Sequence, residues 1–263
     1  MKLITDIKDM KKKSDPIVAL TCYSYAMATL LNRADIDIIL VGDSLGMVEL
    51  GYENTLPVTL DEMIHHTKAV KRAQPEGLLV TDMPFMTYNI DAKETLRAAG
   101  RLIKEGGAQA VKLEGGAEMA PVAENLILNN IPVMGHVGLT PQSIHRMGGY
   151  KVQGREPADA REIIRDADAL QRVGVFSIVL EGIPSQLAKE ITGKLEIPTI
   201  GIGAGQSCDG QILVLNDMLG LNPDFRPKFV RRYDNAGEKI IEALRAYASD
   251  VRSGKFPTEE ESY

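Results

Sequence analysis

The chain alternates between short apolar runs and longer segments in which apolar residues recur at helical spacing. The runs are rich in Val, Ile and Leu and show almost no polar alternation, which is typical of parallel strands buried on both faces. Eight such runs lie within PIVALT from Pro16, DIDIILVGDS from Asp35, GLLVTD from Gly77, AVKLEG from Ala110, IPVMGH from Ile131, FSIVLEG from Phe176, IPTIGIG from Ile197 and QILVLND from Gln211.

The segments between the runs predict helices. Thr59 and Glu62 have the spacing of a capping box, in which each residue bonds the backbone of the other, and an apolar stripe follows them. The short segment between Gly201 and Ile212 leaves room for a helix of only a turn or two. Further helices are predicted to begin near Asp91, Met119, Pro157 and Phe229.

Eight strands, nearly all followed by a helix, predict a single (β/α)8 TIM barrel. A doubly wound open sheet is the structural alternative. No linker, repeat or low-complexity tract divides the sequence. We therefore expect residues 1–263 to form one catalytic domain.

Composition narrows the possible partners. The net charge of -6 argues against a nucleic-acid partner, because phosphates select clustered Lys and Arg. Two lone cysteines, Cys22 and Cys208, fit a reducing cytoplasmic compartment. The N-terminus lacks the apolar core of a signal peptide, no stretch approaches a membrane span, and residues 11–13 are expected to form a solvated lysine turn.

Ionisable residues recur where the predicted strands end. In a barrel of this class the active site lies at the carboxyl ends of the strands. A single acidic residue at such a position can also be an ordinary solvated strand end or helix cap, and this is the stronger interpretation for Asp217. The residues are Asp43, Asp82, Glu114, His136, Glu181 and Asp217.

Strand alternation predicts which of these side chains converge inside the barrel. Crowded carboxylates repel one another, and a divalent cation is the usual remedy. An all-oxygen set favours Mg²⁺ over Mn²⁺ or Zn²⁺. The pairs expected to share the inward face are Val41 with Asp43, Val80 with Asp82, Val179 with Glu181 and Lys112 with Glu114.

Several signals leave alternatives open. Lys112 is expected to make a salt bridge, to bind an anion or to form a Schiff base. His136 fits a hydrogen-bonded core histidine and a pocket residue equally well. GIGAGQSCDG from Gly201 fits a phosphate cradle or tight turns, and His65-His66 most resembles a packing or surface pair. Residues 45–58 and 138–156 are lid candidates or plain surface loops.

Long motifs along the chain resemble one enzyme family. They are VGDSLGMVELGYENTLPVT, TDMPFMTY, VKLEGG, GHVGLTPQS, GGYKVQGR, LEGIP and CDGQILVLNDMLG. Together they resemble ketopantoate hydroxymethyltransferases from about Pro16 to about Tyr247. The resemblance implies a TIM barrel of the phosphoenolpyruvate/pyruvate type. It also implies transfer of a hydroxymethyl group from 5,10-methylenetetrahydrofolate to 3-methyl-2-oxobutanoate, on the route to pantothenate and coenzyme A.

The resemblance also implies roles for individual residues. Asp43, Asp82 and Glu114 would bind Mg²⁺, and Asp43, Ser44, Asp82 and Lys112 would contact the oxo acid. Glu181 would be the proton acceptor, and we expect it in a drier setting than the metal carboxylates. Relatives of this kind are cytoplasmic homo-oligomers, typically decamers, with no membrane or nucleic-acid partner.

Three other functions remain open from the sequence. A carbon–carbon lyase or phosphomutase of the same barrel class would use the same metal-stabilised enolate chemistry. A Schiff-base aldolase would use Lys112 as its nucleophile. A barrel without catalytic activity would bind a 2-oxo acid or a protein partner.

Overall fold

The structure, a computed structural model, describes residues 1–224 and 227–263. Its backbone contacts divide the chain into two compact units, Met1–Leu213 and Val214–Tyr263. The first unit holds all the predicted strands. The expectation that residues 1–263 act as one domain stays a prediction. Along the described residues, each helix is too short or too polar to cross a bilayer.

Eight parallel strands close into a barrel in the first unit, in the order in which they occur along the chain. The first strand pairs with the last, so the open-sheet alternative is excluded and the (β/α)8 prediction is confirmed. Every predicted apolar run forms a strand. The strands are β1 Ile17–Thr21, β2 Ile38–Val41, β3 Leu78–Asp82, β4 Ala110–Lys112, β5 Val133–Gly138, β6 Ser177–Glu181, β7 Thr199–Ile202 and β8 Gly210–Leu213.

Helices flank the strands of the first unit and make up most of the second. The first unit contains α1 Ile4–Lys13, α2 Tyr25–Leu31, α3 Leu45–Val48, α4 Leu60–Arg72, α5 Ala92–Arg101, α6 Ala120–Leu128, α7 Ile144–Met147, α8 Pro157–Arg172 and α9 Ser185–Lys194. A π-helical segment, Leu102–Gly106, extends α5, and 3-10 turns lie at Ala117–Met119 and Pro141–Ser143. The second unit contains α10 Leu215–Leu219, α11 Ala236–Arg252 and a 3-10 turn at Glu259–Glu261.

Side-chain caps set several helix starts, as the sequence predicts. The Thr59 hydroxyl accepts the Glu62 N–H at 3.2 Å, and the Glu62 carboxylate accepts the Thr59 N–H at 2.7 Å, which confirms the capping box of α4. The Asp91 carboxylate accepts two backbone N–H groups at 2.8 and 2.9 Å and begins α5. These bonds satisfy N–H groups that have no partner inside a helix.

Two helix predictions are wrong. Between β7 and β8 the chain forms turns instead of a short helix, and the Gln211 side chain holds them by donating to the Gly205 carbonyl at 2.9 Å. The last helix begins at Ala236 instead of near Phe229. The chain just before Ala236 is not helical. It bonds to α10 of the same unit instead, because the Tyr233 N–H donates to the Met218 carbonyl oxygen at 2.9 Å.

The barrel interior tests the predicted strand alternation. Val80, Ala110 and Val179 belong to the interior apolar cluster, so the assignments for β3, β4 and β6 are confirmed. The assignment for β2 is wrong, because Ile38 and Leu40 fill the interior and alternation turns Val41 toward the helices. The other members of the cluster are Ile7, Ile17, Ala19, Leu78, Met134, Phe176, Ile200, Ile202 and Ile212.

Helix α1 is fastened to the amino ends of two strands. Lys2 pairs with Asp37 before β2, and Lys11 Nζ lies 2.8 Å from the carboxylate of Asp209 before β8. Asp209 also accepts the backbone N–H and the hydroxyl of Thr199 at 2.8 and 3.0 Å. The expected lysine turn is therefore wrong: residues 11–13 are helical, and Lys11 is largely buried in an ion pair.

This attachment predicts an asymmetric effect of substitution. Asp209→Ala removes the acceptor of the Thr199 N–H and the counter-charge of the Lys11 ammonium, and we expect a loss of about 2–4 kcal/mol in the free energy of unfolding. Lys11→Met removes the cation of Asp209 and the donor to the Thr192 carbonyl but leaves the bonds between Asp209 and Thr199, and it should cost about 1–2 kcal/mol. Urea unfolding measures both. Lys12→Ala, which breaks an exposed pair with Asp9, is the control and should change stability by less than ~0.5 kcal/mol. Equal losses for Asp209→Ala and Lys12→Ala would refute this account.

Candidate active site

The predicted acidic residues of the first unit lie at the carboxyl ends of the strands. Asp82 and Glu181 are the last residues of β3 and β6, and Lys112 is the last residue of β4. Asp43 and Glu114 each lie two residues beyond the end of a strand. Asp43, Asp82, Lys112 and Glu114 are all at most 5% exposed. Charged groups this deeply buried require partners, since desolvation is costly.

Strand register brings the first ion pair together. Asp82 and Lys112 are direct Cα partners across β3 and β4, and Lys112 Nζ donates to Asp82 Oδ1 at 2.8 Å. Burial lowers the pKa of Lys112, but the charges of Asp82, Glu114 and Asp43 outweigh it and raise the pKa above its ordinary value. Lys112 is therefore a fixed ammonium group, and the expected salt bridge is confirmed.

Asp43 reaches the same cluster through a turn at Gly42. A Cβ atom at Gly42 would lie 2.9 Å from Ser44 Oγ and 3.4 Å from Asp82 Oδ2, so this position favours glycine. The Asp43 N–H donates to Asp82 Oδ2 at 3.0 Å. Burial raises the pKa of the Asp43 carboxyl well above its ordinary value, and Asp82 and Glu114 raise it further. Lys112 therefore compensates only part of the negative charge.

His136 lies between two carboxylates. Its Nδ1 is 3.4 Å from Glu114 Oε1, and its Nε2 is 3.2 Å from Glu181 Oε2. Among the described residues, neither ring nitrogen has an aligned hydrogen-bond partner, so the contacts are those of an ion pair. The sequence left the role of His136 open; the structure places it in the candidate site, next to the expected base.

Electrostatics fix the charge of this histidine. Burial and the Lys112 charge lower the pKa of His136, but Glu114 and Glu181 outweigh them and raise it to about 9. Burial raises the pKa of Glu114, and His136 with Lys112 reverses that effect, so the Glu114 carboxyl stays below its ordinary value. The expectation that Glu181 is the drier carboxylate is wrong: its side chain is 19% exposed, against 4% for Glu114.

Sequence reasoning missed two buried polar residues of the site. Gln142, in the 3-10 turn after β5, donates from Nε2 to Asp43 Oδ2 at 2.8 Å. Tyr88, in the segment after β3, donates its hydroxyl proton to Gln142 Oε1 at 2.6 Å. Both lie in loops without periodicity. The motifs TDMPFMTY and GHVGLTPQS include them, but nothing in the sequence assigned either residue a role in the site.

The remaining candidate residues have mixed outcomes. The Ser44 hydroxyl lies 2.8 Å from the Tyr23 hydroxyl, at the turn that carries Asp43. His66 Nδ1 lies 2.8 Å from the Tyr23 carbonyl oxygen, which fits the expected packing role. Asp217 lies inside α10 of the second unit instead of directly following a strand. A phosphate-binding role for the loop after β7 stays a prediction.

Comparison with known proteins identifies the family. The family model described as ketopantoate hydroxymethyltransferase matches residues 2–259. The chain belongs to the ketopantoate hydroxymethyltransferase family. A 3-methyl-2-oxobutanoate hydroxymethyltransferase of Pelobacter propionicus is 57% identical, over 99% of this chain and 96% of the relative. A relative of the same name from Geobacter sulfurreducens is 53% identical, over 100% and 98%.

Solved structures with low sequence identity share the fold of this family member. A phosphonopyruvate hydrolase solved with oxalate and Mg²⁺ aligns with a TM-score of 0.64 at 12% identity, covering 99% of this chain and 93% of that one. A 2,3-dimethylmalate lyase of the PEP mutase/isocitrate lyase superfamily aligns with a TM-score of 0.63 at 14% identity, covering 99% and 91%. These likenesses agree with the barrel fold, and the phosphoenolpyruvate/pyruvate type stays a prediction.

The donor set of the site can be tested against Mg²⁺. Four carboxylates, those of Asp43, Asp82, Glu114 and Glu181, face two cations, Lys112 and His136. When all six groups are ionised, the net charge of the site is negative by two, and one divalent cation would neutralise it. Within residues 1–224 and 227–263, no group of three or more acidic, His or Cys side chains is arranged to hold a metal. Mg²⁺ commonly takes only one or two carboxylates, and Asp43 with Asp82 fits that requirement.

The raised pKa of Asp43 predicts a conflict between stability and function in the metal-free protein. A carboxyl whose folded-state pKa is raised destabilises the fold increasingly as the pH rises from 3.8 to that pKa. Asp43→Asn keeps an acceptor for Gln142 but removes the charge. We expect it to be ~1–3 kcal/mol more stable than wild type at pH 8 in EDTA, with no advantage near pH 4.

Urea unfolding at the two pH values measures this difference. The exposed carboxylate Asp61 provides the control, because Asp61→Asn should shift stability by less than ~0.5 kcal/mol at either pH. Added Mg²⁺ should stabilise wild type and leave Asp43→Asn unchanged. A variant that is less stable than wild type at pH 8 in EDTA would contradict the electrostatic account.

Proposed function

We propose that this protein transfers a hydroxymethyl group from 5,10-methylenetetrahydrofolate to 3-methyl-2-oxobutanoate, giving ketopantoate (2-dehydropantoate), the precursor of pantothenate and coenzyme A. The observation that carries the proposal is the charge arrangement of the site. The four carboxylates of the site outnumber its two cations by two, so two negative charges are uncompensated when all six groups are ionised. The carboxylate of Glu181 lies across the His136 ring from Glu114. Membership of the family supplies the substrates.

Mg²⁺ is the proposed cofactor. Asp43 and Asp82 would hold it, and Glu114 would complete the acidic set, as the family resemblance implies. When bound, the ion would polarise the keto oxygen of the oxo acid and stabilise the negative charge that develops when the C3 proton leaves. The Glu114 carboxylate already accepts the Gln142 N–H at 3.0 Å and faces His136, so a direct bond to the ion stays a prediction.

Lys112 and Ser44 are the proposed binding groups for the oxo acid. The buried ammonium of Lys112 supplies positive charge to an anionic substrate in a region of low dielectric, where such an interaction is strong. The Ser44 hydroxyl is held by Tyr23 beside Asp43. Because the pKa of Lys112 is raised, its amine stays protonated, which argues against the Schiff-base alternative.

Glu181 is the proposed base. It would accept the C3 proton of 3-methyl-2-oxobutanoate, while the positive His136 ring 3.2 Å away holds the carboxylate in place. The carbanion equivalent would then attack the methylene carbon of the folate as one of its two C–N bonds breaks. Water would replace the second C–N bond and supply the hydroxyl group, and tetrahydrofolate would leave with one proton from C3 and one from the water. Partial exposure of Glu181 suits a base that must meet an incoming substrate.

Two loops are proposed to limit the access of bulk water. The Tyr150 hydroxyl, in residues 138–156, lies 3.7 Å from Met47 Sδ, in residues 45–58. Burial raises the pKa of Tyr150, and the charges of Glu181, Asp43 and Glu114 raise it further, which places this phenol within the field of the site. The family resemblance also implies a homo-oligomer, typically a decamer, and a cytoplasmic location.

The activity itself gives the first test. We expect ketopantoate to form from the two substrates with Mg²⁺, to fall below ~1% of that rate in excess EDTA, and to return when Mg²⁺ is restored. Product formation followed by mass spectrometry measures it. Full turnover in EDTA would refute the metal role, and metal-dependent cleavage of a 2-oxo acid without folate would favour the lyase alternative.

The role of Glu181 can be tested apart from folate. Deuterium exchange at C3 of 3-methyl-2-oxobutanoate reports proton removal alone. We expect Glu181→Gln to slow the exchange by at least ~100-fold, with substrate affinity changed only a few-fold. Glu190→Gln, which alters an exposed carboxylate paired with Lys194 on α9, is the control and should exchange at the wild-type rate. Wild-type exchange in Glu181→Gln would assign the base elsewhere.

A further inference from the structure

Gln142 occupies an unusual position for a loop residue. It lies in the 3-10 turn Pro141–Ser143, directly after β5, and is only 6% exposed. The chain reaches this turn through Gly138, whose φ is +95° and whose added Cβ would lie 2.3 Å from the Glu181 carbonyl oxygen. The loop therefore leaves β5 in close contact with the end of β6 and turns inward over the site.

The polar atoms of Gln142 bond to the ends of three other strands. Nε2 donates to Asp43 Oδ2 at 2.8 Å and to the Met83 carbonyl at 3.0 Å. The backbone N–H donates to Glu114 Oε2 at 3.0 Å. One residue thus fixes a carboxylate after β2, the backbone after β3 and a carboxylate after β4.

Tyr88 fixes the direction of the amide. Its hydroxyl donates to Gln142 Oε1 at 2.6 Å, so the amide nitrogen must face Asp43. The Glu114 N–H donates to the same hydroxyl oxygen at 3.3 Å, which anchors the tyrosine to the end of β4. Burial raises the pKa of Tyr88, so the phenol remains a donor.

We propose that Gln142, held by Tyr88, is a positioning residue that orients the Asp43 carboxylate for a divalent cation and links that orientation to the loop of residues 138–156. The inference rests on the proposed metal role of Asp43 and deepens it. Groups that hydrogen-bond a metal ligand orient it, and their loss typically weakens metal binding by about 10–100-fold. The same loop also contacts the chain after Asp43, where the Tyr150 hydroxyl lies against Met47 Sδ. The loop therefore contacts both the Asp43 carboxylate and the segment that follows it.

The test uses Mn²⁺ binding to the full chain, measured by electron paramagnetic resonance, so that activity is not the only readout. We expect Gln142→Met to raise the Mn²⁺ Kd by about 10–100-fold. Tyr88→Phe, which removes a single oxygen atom, should raise it a few-fold in the same direction. At saturating Mg²⁺, the kcat of both variants should approach the wild-type value. The Mg²⁺ concentration needed for half-maximal activity should stay raised.

A matched control separates positioning from loss of stability. Gln109 also bonds two backbone groups, accepting the Leu79 N–H at 3.0 Å and donating to the Lys2 carbonyl at 3.1 Å, but it precedes β4 at the amino end of the barrel. Gln109→Met should lower the Tm and leave the Mn²⁺ Kd unchanged.

Each outcome decides between the hypotheses. A wild-type Kd in both Gln142→Met and Tyr88→Phe would overturn the positioning role while leaving the proposed function intact. Wild-type protein that binds no Mn²⁺ and needs no Mg²⁺ would overturn both. If Gln142→Met does not fold, the Kd of Tyr88→Phe alone decides.

Discussion

The site depends on one buried ion pair, between Asp82 and Lys112. Backbone hydrogen bonding sets their register across β3 and β4, which places the Lys112 ammonium within hydrogen-bonding distance of Asp82. The other acids are arranged around this fixed charge. Asp43 bonds Asp82 through its backbone N–H, and His136 separates Glu114 from Glu181. Because the cations are fewer than the acids, the arrangement is short of positive charge, which fits the proposed binding of a divalent ion together with an anionic oxo acid.

The shortage of positive charge explains why residues of two loops belong to the site. A carboxylate such as Asp43 that lacks a cation must be held by neutral donors, or it will turn away or take up a proton. Gln142, in the segment after β5, supplies such a donor, and Tyr88, in the segment after β3, holds the Gln142 amide by donating to its oxygen. The lid candidate is therefore part of the electrostatic structure of the site. Movement of this loop would change the surroundings of Asp43, because Gln142 bonds that carboxylate directly.

The sequence predicted the barrel well because a parallel strand buried on both faces leaves a continuous apolar run, and the acids follow those runs directly. It failed at β2, where the turn at Gly42 brings Asp43 into the site from a strand whose last residue, Val41, faces outward. It placed Gln142 within a family motif and a lid candidate but gave it no role, since nothing local distinguishes a loop glutamine that tertiary contacts will bury. The charge of His136 was equally hidden, because it depends on two glutamates from different strands. Residue types near strand ends were predictable, whereas the partners that set their charge required the fold.

The two ends of the barrel treat buried aspartates in opposite ways. At the amino end, Asp37 accepts the Val18 N–H at 2.7 Å and pairs with Lys2, and Asp209 has the same combination of a backbone donor and a lysine. Each of these acids has a cation of its own, as a structural role requires. At the carboxyl end, Asp43 shares one lysine with Asp82 and Glu114, and its pKa is raised. The same residue type, buried in the same barrel, is therefore stabilising where its charge is matched and costly where it is not. A fold that retains the costly arrangement at only one end is best explained by a ligand that supplies the missing charge there.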